Sequence, residues 1–432
     1  MSKENYLFRG DFITARPDPG ELSVYEDSYA LVCDGVLEEI THVKPQIGDD
    51  VVEIDCKGKL IIPAFSDVHL HAVQYVTTGL GYDKELLPWL TDYTFPEEAR
   101  FADRAYASRV FTDLVYDLWS GGTLHSSIFS SIHTDATVLL AELLADAGLS
   151  AFVGKVNMDR NGGVDLEETT EESMSETMRY LDLMAPFEDR GVKPILTPRF
   201  APSCTPELMR WLGELSAEKG LFVQSHANEN LGEIDWVKGL FPESRDYMSV
   251  YQDFDLLPKG RTVMAHCIYN TDEELEMMRE RDVIVAHCPS SNANIASGIM
   301  PTAQMIDKGI KVGLGSDIGG GNRLFMGHHV SAAMKHSRLR WALTDRTSRV
   351  ISFAEAFWMG TAAGGSFFGK TGAFIPGYSF DALVIDDCRL SHYRPLDVLE
   401  RLQRFIFVGD DRLIVSRYRK GELLPEPNCM VK

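Results

Sequence analysis

Cysteine is scarce in this 432-residue sequence and irregularly spaced. The seven cysteines are odd in number, no two of them lie within four residues of each other, and no C-x-x-C pair occurs. A disulfide framework is therefore not expected, and the cytoplasm is the expected compartment. The same absence excludes a zinc ribbon and a deaminase site of the P-C-x-x-C type. Any zinc in this chain would have to be bound by histidine and carboxylate.

Basic residues are also in short supply. The 42 lysines and arginines are outnumbered by 64 aspartates and glutamates, which gives a net charge of −22 at pH 7. This charge repels nucleic-acid backbones and anionic membrane surfaces. No apolar run approaches the roughly 18 residues that a membrane span requires. We therefore expect a small-molecule substrate, with neither nucleic acid nor a membrane as partner.

Short apolar runs separated by amphipathic stretches dominate the middle of the chain. The runs are rich in β-branched and aromatic residues, which is typical of parallel strands buried on both faces. Amphipathic stretches such as 207–219 and 272–281 follow the capping residues Thr205 and Thr271. Eight such alternations predict an α/β fold of the (β/α)8 TIM-barrel type. The predicted strands are 60–68, 122–129, 150–157, 194–200, 221–226, 262–266, 283–287 and 312–317.

Both ends of the chain have shorter β patterns, at 6–13 and 30–39 and again at 380–385 and 412–418. Neither end contains enough apolar residues for a core of its own. We expect the two ends to combine in one small β-sandwich beside the barrel. The predicted division is 1–59 for the N-terminal part of the sandwich, 60–370 for the barrel of a metal-dependent hydrolase, and 371–432 for the C-terminal part of the sandwich.

Metal-capable side chains stand at the carboxyl ends of the predicted strands, and in a barrel these ends meet on one face. In an extended segment, residues two apart point the same way, so an H-x-H pair can reach one ion. Imidazoles suit zinc or iron. The residues in question are His69, His71, His226, His266, His287 and Asp317.

Two acidic residues in these segments suit proton transfer. Glu229 lies three residues after His226, where it can shuttle protons without binding the metal. Asp317 lies in the glycine-rich segment 313–321, and an acid beside a metal can bind it and accept a proton from water. A phosphate loop is disfavoured there, because G-x-x-x-x-G-K-[ST] is absent. His266 either binds the metal or, as we favour, orients its water; a structural and a catalytic role remain open for His287.

One further absence concerns the number of metal ions. Binuclear barrels of this kind join two metals through a carbamylated lysine at the end of the fourth strand. Here that segment, 196–200, reads LTPRF, and arginine cannot take the role because it stays charged. Lys155 in the third strand is a weak competitor. A single metal ion is therefore predicted.

Several segments of the chain match known motifs. They are 63–75 (PAFSDVHLHAVQY), 89–96 (WLTDYTFP), 197–200 (TPRF), 225–230 (SHANEN), 264–266 (MAH), 287–289 (HCP) and 313–317 (GLGSD). From about residue 60 to 322, they resemble the amidohydrolase superfamily and, within it, the guanine deaminase family. Ala64 and Val73 depart from the glycine and proline usual in that family.

The resemblance implies a hydrolase that deaminates guanine to xanthine and ammonia in purine catabolism. One Zn²⁺ per subunit, with Fe²⁺ as the alternative, would be held by His69, His71, His226 and Asp317. Asp317 would also take a proton from the attacking water. Glu229 would protonate the ring and the leaving amine, while the favoured role of orienting the water would fall to His266.

The resemblance also implies how the base is recognised. Gln74 and Arg199 would read its polar edge, Phe200 would cover its face, and Trp89 and His226 would complete the cavity. A homodimer is expected on the same basis. The rival interpretations are a related deaminase acting on 8-oxoguanine, a pterin or a triazine, and a non-catalytic protein derived from the same fold.

Overall fold

The computed structural model describes residues 5–48, 50–163, 165–344, 346–390 and 393–429. The strands within these ranges are β1 (Asn5–Ala15), β2 (Leu22–Cys33), β3 (Val36–Thr41), β4 (Val51–Pro63), β5 (Phe65–His71), β6 (Thr123–Phe129), β7 (Ser150–Gly154), β8 (Val156–Asn157), β9 (Val192–Pro194), β10 (Thr197–Pro198), β11 (Val223–Ala227), β12 (Thr262–His266), β13 (Ile284–His287), β14 (Lys311–Leu314), β15 (Ala382–Ile385), β16 (Ile414–Arg419) and β17 (Glu422–Leu423).

The α-helices follow most of the central strands. They are α1 (Leu86–Trp89), α2 (Phe95–Ala99), α3 (Arg104–Ser120), α4 (Thr134–Asp146), α5 (Thr170–Glu188), α6 (Pro206–Lys219), α7 (Leu231–Leu240), α8 (Tyr247–Asp253), α9 (Asp272–Glu280), α10 (Pro289–Asn294), α11 (Thr302–Asp307), α12 (Met326–Leu343), α13 (Phe353–Trp358) and α14 (Val398–Val408). No described helix is both long and apolar enough to cross a bilayer.

The central strands pair in parallel around a closed ring. The order β5-β6-β7-β9 covers one half and β11-β12-β13-β14 the other, with the short pair β8 and β10 extending the third and fourth positions. A parallel bridge between Leu196 and Val223 joins the halves on one side. On the other side the backbone N–H of Asp317 donates to the carbonyl of His69 at 2.9 Å. This is the predicted (β/α)8 arrangement, and the fold class is confirmed.

Two predicted helices begin where their capping residues indicated. The Thr205 side chain accepts a hydrogen bond from the N–H of Leu208 at the start of α6. At the start of α9, Thr271 and Glu274 form a reciprocal capping box. Each cap satisfies backbone N–H groups that a helix start would otherwise leave unpaired.

The two ends of the chain share one seven-stranded sheet, in the order β17-β16-β15-β4-β1-β2-β3. The sheet curls around an aromatic core of its own. Phe8 of β1 lies 4.9 Å from Tyr418 of β16 between ring centroids, although β4 and β15 separate the two strands in the sheet. Phe8 also packs against Phe380 at 4.6 Å. The expectation that both ends combine in one β-rich unit is confirmed.

The predicted first barrel strand is divided between two sheets. Residues 60–63 are the end of β4 and pair with β15 in the terminal sheet, whereas the barrel strand β5 begins at Phe65 and includes both His69 and His71. A continuous apolar run does not mark the point where the chain changes sheets, because both halves are buried. The domain limits at 59/60 and 370/371 stay a prediction.

Candidate active site

Three imidazoles meet at the carboxyl end of the barrel. His69 and His71 lie two residues apart on β5, and His226 lies on β11. The ring centroids of His69 lie 5.0 Å from those of His71 and 4.8 Å from those of His226. The Nε2 atoms of His71 and His226 are 3.1 Å apart. Two distant segments of the chain therefore place three nitrogen ligands around one point.

These imidazoles are suited to metal binding. All three are buried, and burial is the main cause that lowers the pKa of each ring. The neutral form, which binds metals, is thus favoured. Nδ1 of His226 donates to the backbone carbonyl of Arg199 at 2.5 Å, which leaves Nε2 as the ligand atom. For the Nδ1 atoms of His69 and His71, the described residues supply no hydrogen-bond partner.

Asp317 adds a carboxylate to this cluster. Its Oδ1 lies 3.2 Å from Nε2 of His69 and 3.6 Å from Nε2 of His71. Burial opposes ionisation of Asp317, but the hydrogen bond and charge of His69 outweigh it and hold the pKa well below its usual range. Histidine nitrogens with one carboxylate oxygen form a donor set that fits Zn²⁺ or Fe²⁺. Cys288, which the sequence analysis did not consider as a ligand, lies close enough to His69 and Asp317 to contribute a thiolate.

Glu229 and His266 lie beside the cluster. Oε2 of Glu229 is 3.4 Å from Nε2 of His266, and its Oε1 accepts from the Ser297 hydroxyl at 2.8 Å. Burial raises the pKa of Glu229 to about 7. Burial would lower the pKa of His266, but the charges of Glu229 and Asp317 outweigh it and raise the pKa. Glu229 is therefore able to give and take a proton near neutral pH.

Backbone strain directs these side chains. Asn228, His266 and Asp317 have φ values of 53°, 70° and 47°. Asparagine and aspartate tolerate this left-handed region comparatively well, whereas it costs His266 about 1–2 kcal/mol. Strain of this kind clusters at functional sites, where the surrounding structure holds it in place.

A cavity opens in front of the cluster. It contains every residue that the sequence analysis assigned to substrate contact and catalysis. The apolar residues Leu86, Leu90 and Ile295 were not foreseen. The predicted residues in its lining are His71, Gln74, Trp89, Arg199, Phe200, His226, Glu229, His266 and Asp317.

Glu98 of α2 is the most important residue that the sequence analysis missed. Its carboxylate accepts from Nη1 and Nη2 of Arg199 at 2.6 and 2.9 Å and from Nε2 of Gln74 at 3.0 Å. The side chain is buried although it lies in the charged segment 97–100. Nothing in that segment distinguishes it from the neighbouring Glu97, which pairs with Arg100.

Glu233 was also missed, although a signal for it was present. Its Oε2 accepts from the backbone N–H groups of Glu229 and Asn230, and the Tyr247 hydroxyl donates to Oε1 at 2.6 Å. Asn230 and Glu233 form the capping box of α7. The N-x-x-E spacing of a capping box is readable from sequence, and here it fixes the backbone that carries Glu229.

His287 and Lys155, which the sequence analysis considered, do not line the cavity, and neither does His125. His125 pairs with Asp381 at 3.1 Å. Burial lowers the pKa of His287 to about 3. The Lys155 ammonium donates to the Glu168 carboxylate at 2.8 Å, so this lysine is engaged in an ion pair.

The amidohydrolase family model matches residues 60–424. The chain belongs to the amidohydrolase family. Members of this family depend on metal ions, in keeping with the cluster of His69, His71 and His226. The resemblance drawn from the sequence motifs is confirmed, whereas the roles of single residues stay predictions.

Individual amidohydrolases match most of the chain. The guanine deaminase of Dictyostelium discoideum is 40% identical over 377 residues, which cover 85% of this chain and 83% of that protein. The guanine deaminase of Escherichia coli is 32% identical over 99% of this chain and 100% of that one. The structure of guanine deaminase from C. acetobutylicum with guanine bound in the active site aligns with a TM-score of 0.92 and 41% identity, over 98% of this chain and 100% of that chain.

Asp67 gives a pH-dependent test of this site. Its buried Oδ1 accepts from the N–H groups of His69 and Ser316, and burial raises its pKa from 3.8 to about 7. The folded protein therefore keeps a proton that the unfolded chain releases, so Asp67 makes stability fall as pH rises from about 4 to 7.

In metal-free protein, Asp67→Asn is expected to gain about 2 kcal/mol of unfolding free energy relative to wild type between about pH 5 and pH 8, since the amide keeps the acceptor and cannot ionise. Urea unfolding at both pH values in a chelator measures the gain. Equal pH dependence of the two proteins would show that Asp67 keeps an ordinary pKa.

Proposed function

We propose that this protein catalyses the hydrolytic deamination of guanine to xanthine and ammonia, with Zn²⁺ as its metal. The observation that carries the proposal is the composition of one cavity. A metal-capable cluster and Glu229 line it together with Arg199 and Gln74, which are able to read a polar ring edge. Similarity to guanine deaminases over most of the chain supports the same substrate.

One metal ion per subunit fits the residues present. His69, His71, His226 and Asp317 would hold it. When bound, such a metal makes water acidic near neutral pH. Arg199 occupies the place of a bridging lysine and stays charged.

The side chains around the cluster account for the proton transfers. Asp317 takes one proton from the attacking water, and His266 holds the water by a hydrogen bond. The protonated carboxyl of Glu229 gives its proton to the ring nitrogen beside C2. As the water oxygen bonds to C2, Glu229 takes its second proton and passes it to the amine; the bond between C2 and the amine then breaks, ammonia leaves and the oxygen on C2 becomes a carbonyl. The proton held by Asp317 returns to Glu229 and restores the starting state. The pKa of about 7 suits Glu229 to both steps.

Recognition of the ring is assigned to the cavity residues that do not belong to the metal-capable cluster. Arg199 donates to the carbonyl of guanine, Gln74 contacts a neighbouring polar group, and Phe200 covers the ring. Trp89 is fixed by the hydrogen bond from its Nε1 to the carbonyl of Leu80 at 2.9 Å. Adenine carries an amine where guanine carries the carbonyl, so Arg199 would lose its acceptor. We also propose a cytoplasmic homodimer, supported by the resemblance and by the cysteine pattern.

The main test measures ammonia release with purified enzyme over a panel of guanine, 8-oxoguanine, adenine, pterins and triazines. Guanine is expected to give the highest kcat/KM. Chelation should abolish the activity and one equivalent of Zn²⁺ should restore it, because the cluster binds a single ion. Preference for another ring would reassign the substrate, and activity that survives complete metal removal would contradict the metal assignment.

Glu229→Gln is expected to lower kcat for guanine about 100-fold or more, because the amide is unable to transfer the proton. Metal content should stay at the wild-type level. Glu171→Gln, on the exposed first turn of α5, is the matched control and should have wild-type kcat. Full turnover by the Glu229 variant would remove this residue from the mechanism.

Arg199→Lys is expected to raise KM for guanine by about tenfold or more while the metal is retained. Lysine keeps a positive charge next to Glu98 but lacks the planar fork of donors. Arg210→Lys, at an exposed position on α6, serves as the control. An unchanged KM would mean that another group reads the carbonyl.

A further inference from the structure

The two residues assigned to reading the base share one buried partner. Both oxygens of Glu98 are used: Oε2 accepts from Nη1 of Arg199, and Oε1 accepts from Nη2 of Arg199 and from Nε2 of Gln74. Glu98 is 5% exposed and Arg199 is 3% exposed. Because the pair is bidentate and shielded from water, it fixes the plane of the guanidinium.

The remaining donors of Arg199 are left for a ligand. A guanidinium has five N–H groups, and the paired carboxylate uses two of them. The ring of Phe95 lies 5.1 Å from the guanidinium carbon, which limits its movement. Within the described ranges, no other acceptor hydrogen-bonds to this side chain. Arg199 therefore presents donors to the cavity that it lines.

Glu98 also decides which end of the Gln74 amide faces the ligand. An ionised carboxylate only accepts hydrogen bonds, so it selects the NH₂ end of the amide. The carbonyl oxygen Oε1 of Gln74 is then the end left for a ligand. The backbone of Gly319 packs directly against the Gln74 side chain, since a Cβ added to Gly319 would lie 2.6 Å from Oε1.

We infer that Glu98 is a positioning residue that sets the hydrogen-bond polarity of the substrate cavity, with donors from Arg199 beside an acceptor from Gln74. This pattern matches a ring lactam, in which a carbonyl oxygen neighbours an N–H group. The amidine edge of an adenine-type ring presents the reverse pattern. The inference rests on the proposed function, because it explains how that substrate class is selected.

The test uses two competitive inhibitors that have no amine to lose. Hypoxanthine carries the lactam and purine lacks it, so the ratio of their inhibition constants measures lactam recognition alone. In Glu98→Gln the new amide is able to donate to Gln74 and reverse it, and it places its own donors against Arg199. The preference for hypoxanthine over purine is expected to fall at least about tenfold. KM for guanine should rise by a similar factor, with kcat changed less than about threefold.

Glu97→Gln, one residue away on the same helix, is the matched control and should keep the wild-type preference. Glu98→Asp is the second variant: it keeps the charge that Arg199 needs for folding but draws the carboxylate back, so a smaller loss in the same direction is expected. Inhibition constants count only folded sites, so incomplete folding does not imitate the effect.

An unchanged ratio in both Glu98 variants would overturn the inference. It would do so whether the two inhibition constants keep their wild-type values or rise by the same factor, and an equal rise would indicate a purely structural residue. The proposed function fails separately, when the wild-type enzyme releases no ammonia from guanine; the ratio of the hypoxanthine and purine dissociation constants, measured by titration calorimetry, still reports on Glu98 in that case, because direct binding requires no turnover.

Discussion

The hydrogen bond from Nδ1 of His226 to the backbone carbonyl of Arg199 joins the two halves of the site. One residue thus orients a metal-capable imidazole through its main chain while its side chain faces the substrate cavity. The position of the metal-capable histidines and that of the Arg199 side chain are therefore not independent. A shift of the β10 end would move both, so the distance between His226 and the Arg199 guanidinium is set by the backbone.

The charged side chains that line the cavity are few, and the negative charge of some of them is reduced by burial. Its lining contains one permanent cation, Arg199, and three carboxyl groups, those of Glu229, Glu233 and Asp317. Burial raises the pKa of Glu229 and of Glu233, which reduces the negative charge. The cavity is thus suited to a neutral ring with polar edges, and a phosphate-bearing ligand would meet mainly acidic groups.

The positions of the metal-capable residues were predictable because they follow from strand periodicity. His69, His71 and His226 occupy strand ends, and a parallel barrel brings such ends together whatever the intervening sequence. The boundary between β4 and β5 was not predictable, since a run buried in one sheet has the same composition as a run buried in the next.

Glu98 was out of reach of sequence reasoning for another reason. In the segment 95–100 it is one of two adjacent glutamates on a short helix, and local pattern treats both as solvated. Its burial depends on Arg199, which lies 101 residues further along the chain. A pairing between residues so far apart produces no periodic pattern in the sequence around either of them. Glu233 differs, because its capping partner is only three residues away.

The shared terminal sheet has a consequence for synthesis on the ribosome. The β4 edge that pairs with β15 has to wait about 320 residues for its neighbour. At roughly 5–20 residues per second, this takes about 15–60 s. During that interval the nascent chain carries an unpaired strand edge next to the first barrel strand, which is a template for wrong pairing. The growing polypeptide therefore exposes this edge over a period much longer than the folding of a small domain.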